Sequence, residues 1–145
     1  MELERRGMVY RVNCLAADMN SLYHRAALKL GLADSVMAVL YQLYDRSGSC
    51  PLRKIRRAAG LSRQTLHSAV RALEREGILR LEQSGGRTKT ARLTEQGVRY
   101  AEDTVGRLFR AECRVFDGWS GEDLDRYLRL MEQYNLDLRA QIESM

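Results

Sequence analysis

The stretch that decides the fold begins Leu52-Arg53-Lys54-Ile55-Arg56-Arg57-Ala58-Ala59-Gly60-Leu61-Ser62-Arg63-Gln64-Thr65-Leu66. It runs on through Gly77-Ile78-Leu79 and out to Arg92-Leu93-Thr94. Leu52, Ile55 and Ala59 recur at helical spacing, and Gly60 turns the chain. Leu61 packs back, and the Ser62 hydroxyl caps a second helix whose inner stripe is Leu66, Ala69, Val70 and Leu73. Gly77 ends that helix. Ile78 to Glu82 and Arg87 to Leu93 then alternate as two strands. Between them, Gln83-Ser84-Gly85-Gly86 forms a turn that calls for positive φ.

This order of short helix, glycine turn, capped helix and β-ribbon is that of a winged helix-turn-helix. Such a module presents one helix to the DNA major groove and a hairpin to the flanking backbone. The charge is concentrated in the same place. From Leu52 to Arg92 there are 11 Lys+Arg against 3 Asp+Glu, while the whole chain carries only +5. A basic module on a mildly acidic frame suits a polyanionic partner.

Outward from the module the chain reads as helix. Val12, Leu15, Met19, Leu22, Ala26 and Leu30 mark one apolar face from about Val9 to Leu30, with Gly31 as C-cap. Val36, Val39, Leu40 and Leu43 define a second helix opened by Ala33 or Asp34. It ends near Arg46-Ser47-Gly48-Ser49. Pro51 cannot donate to a ladder and reads as punctuation. Thr94 caps a helix expected to continue from Glu95 to about Phe116, with Ala101, Val105, Leu108, Phe109 and Phe116 inward. Asp117-Gly118 breaks it, and Ser120 caps a last helix carrying Leu124, Tyr127, Leu128, Met131, Tyr134, Leu138 and Ile142.

The expected fold class is therefore α+β, mostly α-helical. Residues 1–32 form an N-terminal dimerisation helix, 33–94 the winged DNA-binding module, and 95–145 the C-terminal dimerisation helices. Three long apolar stripes exceed what so small a module can cover. Each Leu or Ile left in water forgoes about 1.5–3 kcal/mol. An intertwined homodimer is the economical solution.

Composition excludes other classes. No apolar run approaches the roughly 18 residues of a membrane helix, and the N-terminus lacks an apolar leader core. The expected compartment is the cytoplasm, with no membrane partner. Cys14, Cys50 and Cys113 are scattered, without a CxxC pair, and His24 and His67 are the only histidines. The expectation is reduced thiols, no metal site and no cofactor. His67 and Ser68 are adjacent on a helix and point about 100° apart, so they lack the geometry of a nucleophile and its base. No enzymatic constellation appears.

From Leu15 to Gln141 the chain resembles the MarR family of transcription regulators. Four segments carry the resemblance. They are Leu30-Gly31-Leu32; the run from Ile55 through Gly60-Leu61-Ser62 and Gln64-Thr65-Leu66 to Leu73-Glu74-Arg75-Glu76-Gly77-Ile78; Arg92-Leu93-Thr94-Glu95-Gln96-Gly97; and Leu130-Met131-Glu132-Gln133-Tyr134-Asn135-Leu136. The last two are the more specific. The resemblance implies a dimeric regulator that binds a pseudo-palindromic operator, often a repressor released by a small-molecule effector.

It also implies an effector pocket between dimer helices and winged module, lined by residues such as Leu15, Met19, Tyr23, Met37, Tyr41 and Phe109. The alternative for those residues is plain core. A hydroperoxide-sensing branch of the family makes Cys14, one turn after Tyr10, a candidate redox thiol. The plainer reading is a small apolar residue in the dimer core. Two positions depart from the family pattern. Gly85 stands where an acidic residue usually precedes the wing arginine, here Arg87. Arg56 stands where alanine is usual.

The candidate DNA contacts are Ser62, Arg63, Gln64, Thr65, His67, Ser68 and Arg71 on the fourth helix, with Arg87 and Lys89 on the wing. Gln64, His67 and Ser68 suit base edges; Ser62, Arg63, Thr65 and Arg71 suit phosphate. Arg87 suits the minor groove. A solvated polar helix face is the competing reading. The rival functions are a PadR-like winged-helix regulator and a winged protein-interaction module that does not bind DNA.

Overall fold

The computed structural model describes residues 1–83 and 85–145. Among these, seven helices and a three-stranded sheet follow in the order α1 (Glu2–Leu30), α2 (Asp34–Asp45), β1 (Ser49–Pro51), α3 (Leu52–Ala59), α4 (Arg63–Arg75), β2 (Leu79–Gln83), β3 (Lys89–Leu93), α5 (Glu95–Asp103), α6 (Val105–Phe116) and α7 (Gly121–Glu143). The chain divides into two compact units, Met1–Leu108 and Phe109–Met145.

The first unit is built on the stripes read from the sequence. Leu40 and Leu43 of α2, Ile55 of α3, Leu66, Ala69, Val70 and Leu73 of α4, and Ile78 and Leu79 share one core. Ala101 and Val105 complete it. Gly60 turns α3 into α4 at φ 63°, where a residue with a Cβ would be strained. The Ser62 Oγ accepts the Thr65 N–H at 3.1 Å, as an N-cap should. Helix α1 runs seven residues further towards the N-terminus than its apolar pattern suggests, with Glu2 and Glu4 in the first turn favouring the dipole. Only Ala27 of α1 is fully buried, with Ala26 and Leu30 packed beside it. His24 Nδ1 lies 2.9 Å from Asp34 Oδ2 and ties α1 to the start of α2.

Two elements differ from the sequence reading. Pro51 is not mere punctuation, because Ser49–Pro51 forms β1, antiparallel to β3 with Ser49 opposite Arg92 and Pro51 opposite Thr90. The sheet order is β1-β3-β2, so Pro51 lies on an edge strand, where a missing N–H is tolerated. The helix expected from Glu95 to about Phe116 is interrupted at Thr104, which leaves helical geometry at φ −114° and ψ −92°. Its hydroxyl donates to the Tyr100 carbonyl at 2.7 Å, competing with the ladder of backbone bonds. Two residues on, the Gly106 Cα faces the Tyr44 ring, and a Cβ there would stand 3.1 Å from the Tyr44 hydroxyl oxygen.

The Leu93-Thr94-Glu95-Gln96-Gly97 segment stitches the module together. Thr94 Oγ1 donates to the Gly77 carbonyl at 2.6 Å and accepts the Gly97 N–H at 3.0 Å. The Thr94 N–H donates to the Ile78 carbonyl at 3.0 Å. Gly97 packs so tightly that an added Cβ would stand 1.8 Å from the Ile78 carbonyl oxygen. Only glycine fits there.

In the second unit, the Ser120 Oγ accepts the Asp123 N–H at 3.0 Å and opens α7. Trp119 stacks edge-on against Phe116 and Tyr127, both at 5.3 Å between ring centroids. No residue of α7 is buried. Among the described residues no single helix is long and apolar enough to cross a membrane.

Candidate nucleic-acid interface

The inward stripe of α4 fixes what faces outward. With Leu66, Ala69, Val70 and Leu73 buried, Arg63, Gln64, His67, Ser68 and Arg71 line one open concavity on the opposite side. From Arg63 to Arg71 these five positions span nine residues, or about 12 Å of helix from first to last, which matches the width of the DNA major groove. Ser68 and Arg71 continue into a second depression with Glu74 and Arg75. Ser62 lies at the helix start, exposed, and donates its hydroxyl proton to Thr65 Oγ1 at 2.8 Å. The Thr65 hydroxyl therefore keeps its own proton for an outside acceptor. Thr65 is half-buried, the least exposed of the candidate contacts.

The wing candidates stand apart from α4 in sequence but share its character. Arg87 and Lys89 are exposed at and beside the hairpin tip. Gly85 and Gly86 turn the tip at φ 50° and 80°, and Gln83 Nε2 donates to the Gly86 carbonyl at 2.9 Å. Ser84, the second residue of the expected turn, lies outside the described residues. Among the described residues, no carboxylate forms an ion pair with Arg63, Arg71, Arg87 or Lys89. Unpaired cations on an exposed helix face and a hairpin are free to meet phosphate oxygens.

The other two arginines of the hairpin are not free. Glu82 accepts from Arg80 Nε at 3.1 Å and from Arg92 Nε at 3.1 Å. The Arg92 guanidinium, and then that of Arg80, holds the Glu82 carboxyl below the usual carboxylate range. The sequence reading assigned Glu82 no role. Its partners depend on hairpin register, which composition does not reveal.

The residues read as a pocket lining are found in different settings. Leu15, Met19 and Tyr23 stand exposed on α1. Met37 is buried in the core, and Tyr41 packs half-buried against it. Phe109 begins the second unit. Cys14 is exposed on α1, Cys113 is exposed on α6, and Cys50 is buried in β1. Burial pushes the Cys50 thiol up, against the opposing pull of Arg46 and Lys54.

Fold and surface together define a winged helix-turn-helix protein with a cationic outer face on α4. Residues 30–88 match the model of the MarR family, so this segment is similar to that family. The chain matches no curated protein. Among solved structures it is similar to NMB1585, a MarR family regulator from Neisseria meningitidis, at 19% identity and a TM-score of 0.79, over 99% of this chain and 98% of that one. Overoxidized AbfR bound to DNA matches at 21% identity and a TM-score of 0.67, over 95% and 99%. The PcaV regulator from Streptomyces coelicolor, in complex with its natural ligand, matches at 21% identity and a TM-score of 0.63, over 83% and 89%. At these identities the likeness is one of fold.

Proposed function

We propose that this chain is a cytoplasmic, homodimeric repressor that binds a pseudo-palindromic operator. The observation that carries the reading is the outward face of α4, where Arg63, Gln64, His67, Ser68 and Arg71 line one concavity behind a serine-capped start. Gln64, His67 and Ser68 read base edges, while Arg63, Arg71 and Thr65 hold phosphates; Ser62, which gives its hydroxyl proton to Thr65, acts as the cap that orients Thr65. Arg87 and Lys89 extend the contact to the flanking backbone and minor groove. AbfR, a structural neighbour, was solved on DNA, which supports this use of the fold.

The dimer reading rests on apolar surface. In α1, Val12, Leu15, Met19 and Leu22 are exposed; in α7, so are Leu128, Met131, Tyr134, Leu138 and Ile142. Patches of this kind mark interaction surfaces. Residues 1–32 and 95–145 are assigned to dimerisation and 33–94 to DNA. Two recognition helices about one helical turn apart would enter successive major grooves on one face. Occupying the site blocks a promoter. A small-molecule effector that favours a different spacing would release it, as differential affinity for two states requires. PcaV, solved with its natural ligand, supports an effector for this fold.

Fluorescence anisotropy with the upstream intergenic duplex and a scrambled duplex, at two salt concentrations, tests the reading. Tight binding confined to the intergenic duplex, weakening steeply with salt, is the expected result. Failure to bind any duplex at low salt would favour a protein-interaction module instead.

A further inference from the structure

The β2–β3 hairpin sets two cations face to face. Arg80 and Arg92 are register partners in the ladder. Like charges directly opposite one another oppose strand pairing. Glu82 lies two residues from Arg80, on the same face because side chains alternate along a strand. Its Oε1 accepts from Arg80 Nε at 3.1 Å, and both its oxygens accept from Arg92 Nε at 3.1 Å. One carboxylate thus binds two guanidinium groups. Glu82 is charged at neutral pH, as an ordinary carboxylate is, and both arginines hold its proton affinity down further.

This arrangement separates the basic surface into two kinds of cation. Arg63, Arg71, Arg87 and Lys89 have no ion-pair partner among the described residues, whereas Arg80 and Arg92 share Glu82. The clamp is also close to the tip. Thr90 pairs with Glu82, and Arg87 lies three residues further on, or about 10 Å along an extended strand. That is comparable to the screening length of about 10 Å at 0.1 M salt. A phosphate held at the wing tip therefore feels the Glu82 charge.

We propose that Glu82 is a positioning residue that keeps Arg80 and Arg92 on the strands and so limits the sequence-independent attraction of the wing for the DNA backbone. The inference rests on the DNA-binding reading above. Phosphate contacts fix position without reading sequence, and non-specific binding is almost wholly of this kind. A wing with two unclamped arginines would hold every duplex more tightly and be drawn away from its operator by bulk DNA. Glu82 holds that term down.

The test is the salt dependence of binding to a random-sequence duplex, measured by anisotropy on the full chain. Releasing one arginine to phosphate steepens the slope of log K against log salt by about 0.9. Glu82→Gln is expected to steepen it by between one and two such steps and to raise low-salt affinity several-fold. Glu82→Asp, which keeps the charge, should stay near the wild-type slope. Adding Arg80→Ala and Arg92→Ala to Glu82→Gln should return the slope to the wild-type value. In an otherwise wild-type chain, Arg80→Ala should leave the slope unchanged, and this arm holds even if Glu82→Gln folds poorly. A slope unchanged in Glu82→Gln, or one flattened by about 0.9 in Arg80→Ala, overturns the inference while leaving the regulator reading intact. No binding by wild type or variants at low salt overturns both.

Discussion

Helices α4 and α7 carry the same kind of apolar stripe and meet opposite fates. In α4, Leu66, Ala69, Val70 and Leu73 are all buried against α2, α3 and the sheet. In α7 nothing is buried, and Leu128, Met131, Tyr134, Leu138 and Ile142 face solvent. A helical period of apolar residues can be read in both, more sharply in α4. What differs is whether the chain supplies the opposing surface. An amphipathic helix without a surface to meet is incomplete, and the lesson is that a stripe records a need for burial without naming the partner.

The contrast can be broken first at its closed side. Gly97→Ala would push a methyl group into the Ile78 carbonyl, and backbone cannot yield as a side-chain tip can. A loss of about 3 kcal/mol is expected, at the upper end for overpacking, seen as a large fall in melting temperature. A melting temperature within a degree or two of wild type would show that the α5 stitch is not a tight joint.

The open side is tested by placing charge on α7. Leu128→Glu with Leu138→Glu should convert a dimer to a monomer in sedimentation while the winged unit keeps its helical circular dichroism. A mass that does not change, or a wild type that is already monomeric, removes α7 from the interface.

Substitutions on the outer face of α4 sharpen the comparison. Gln64→Ala should relax base preference by about 1–3 kcal/mol at one or two operator positions. Arg71→Ala should weaken all sequences alike and flatten the salt slope by about 0.9. The two outcomes exchanged would mean that base reader and phosphate contact are reversed. Ser62→Ala removes the cap on α4 and should cost about 1 kcal/mol of stability.

The smallest effect is that of pH on the hairpin. The pKa of Glu82 is depressed in the folded chain, so its contribution to stability is present above the ordinary carboxylate range. That contribution is lost as pH falls through the depressed value. The melting difference between wild type and Glu82→Gln should therefore shrink between neutral and strongly acid pH. A difference that does not vary with pH would mean the clamp does not contribute through charge. Because Glu82 is exposed to solvent, the difference should be small.

Much of the module was legible because its signals are local. Gly60, Ser62 and Thr94 announce turn and caps by chemistry that acts within three residues. The outer face of α4 could be read because helical periodicity separates Leu66 and Val70 from Gln64 and Arg71. The β1 strand could not be read this way. It is three residues long, contains Pro51, and exists only because β3 lies beside it. The Thr104 break was also hidden, since threonine is ordinary in a helix until its hydroxyl takes a backbone carbonyl. The Glu82 clamp required knowing that Arg80 faces Arg92, and the tip geometry alone fixes that register.

The order of strands in the sheet carries a consequence for how the chain folds. Pairing Leu79 with Leu93 closes a local loop, whereas pairing Ser49 with Arg92 closes one about three times longer. The longer closure costs roughly 1 kcal/mol more in chain entropy, and three residues of β1 offer few bonds to offset it. The β2–β3 hairpin is therefore expected to form ahead of the β1 pairing, and the strand that joins α2 to α3 is expected to be the last part of the sheet to close and the first to open.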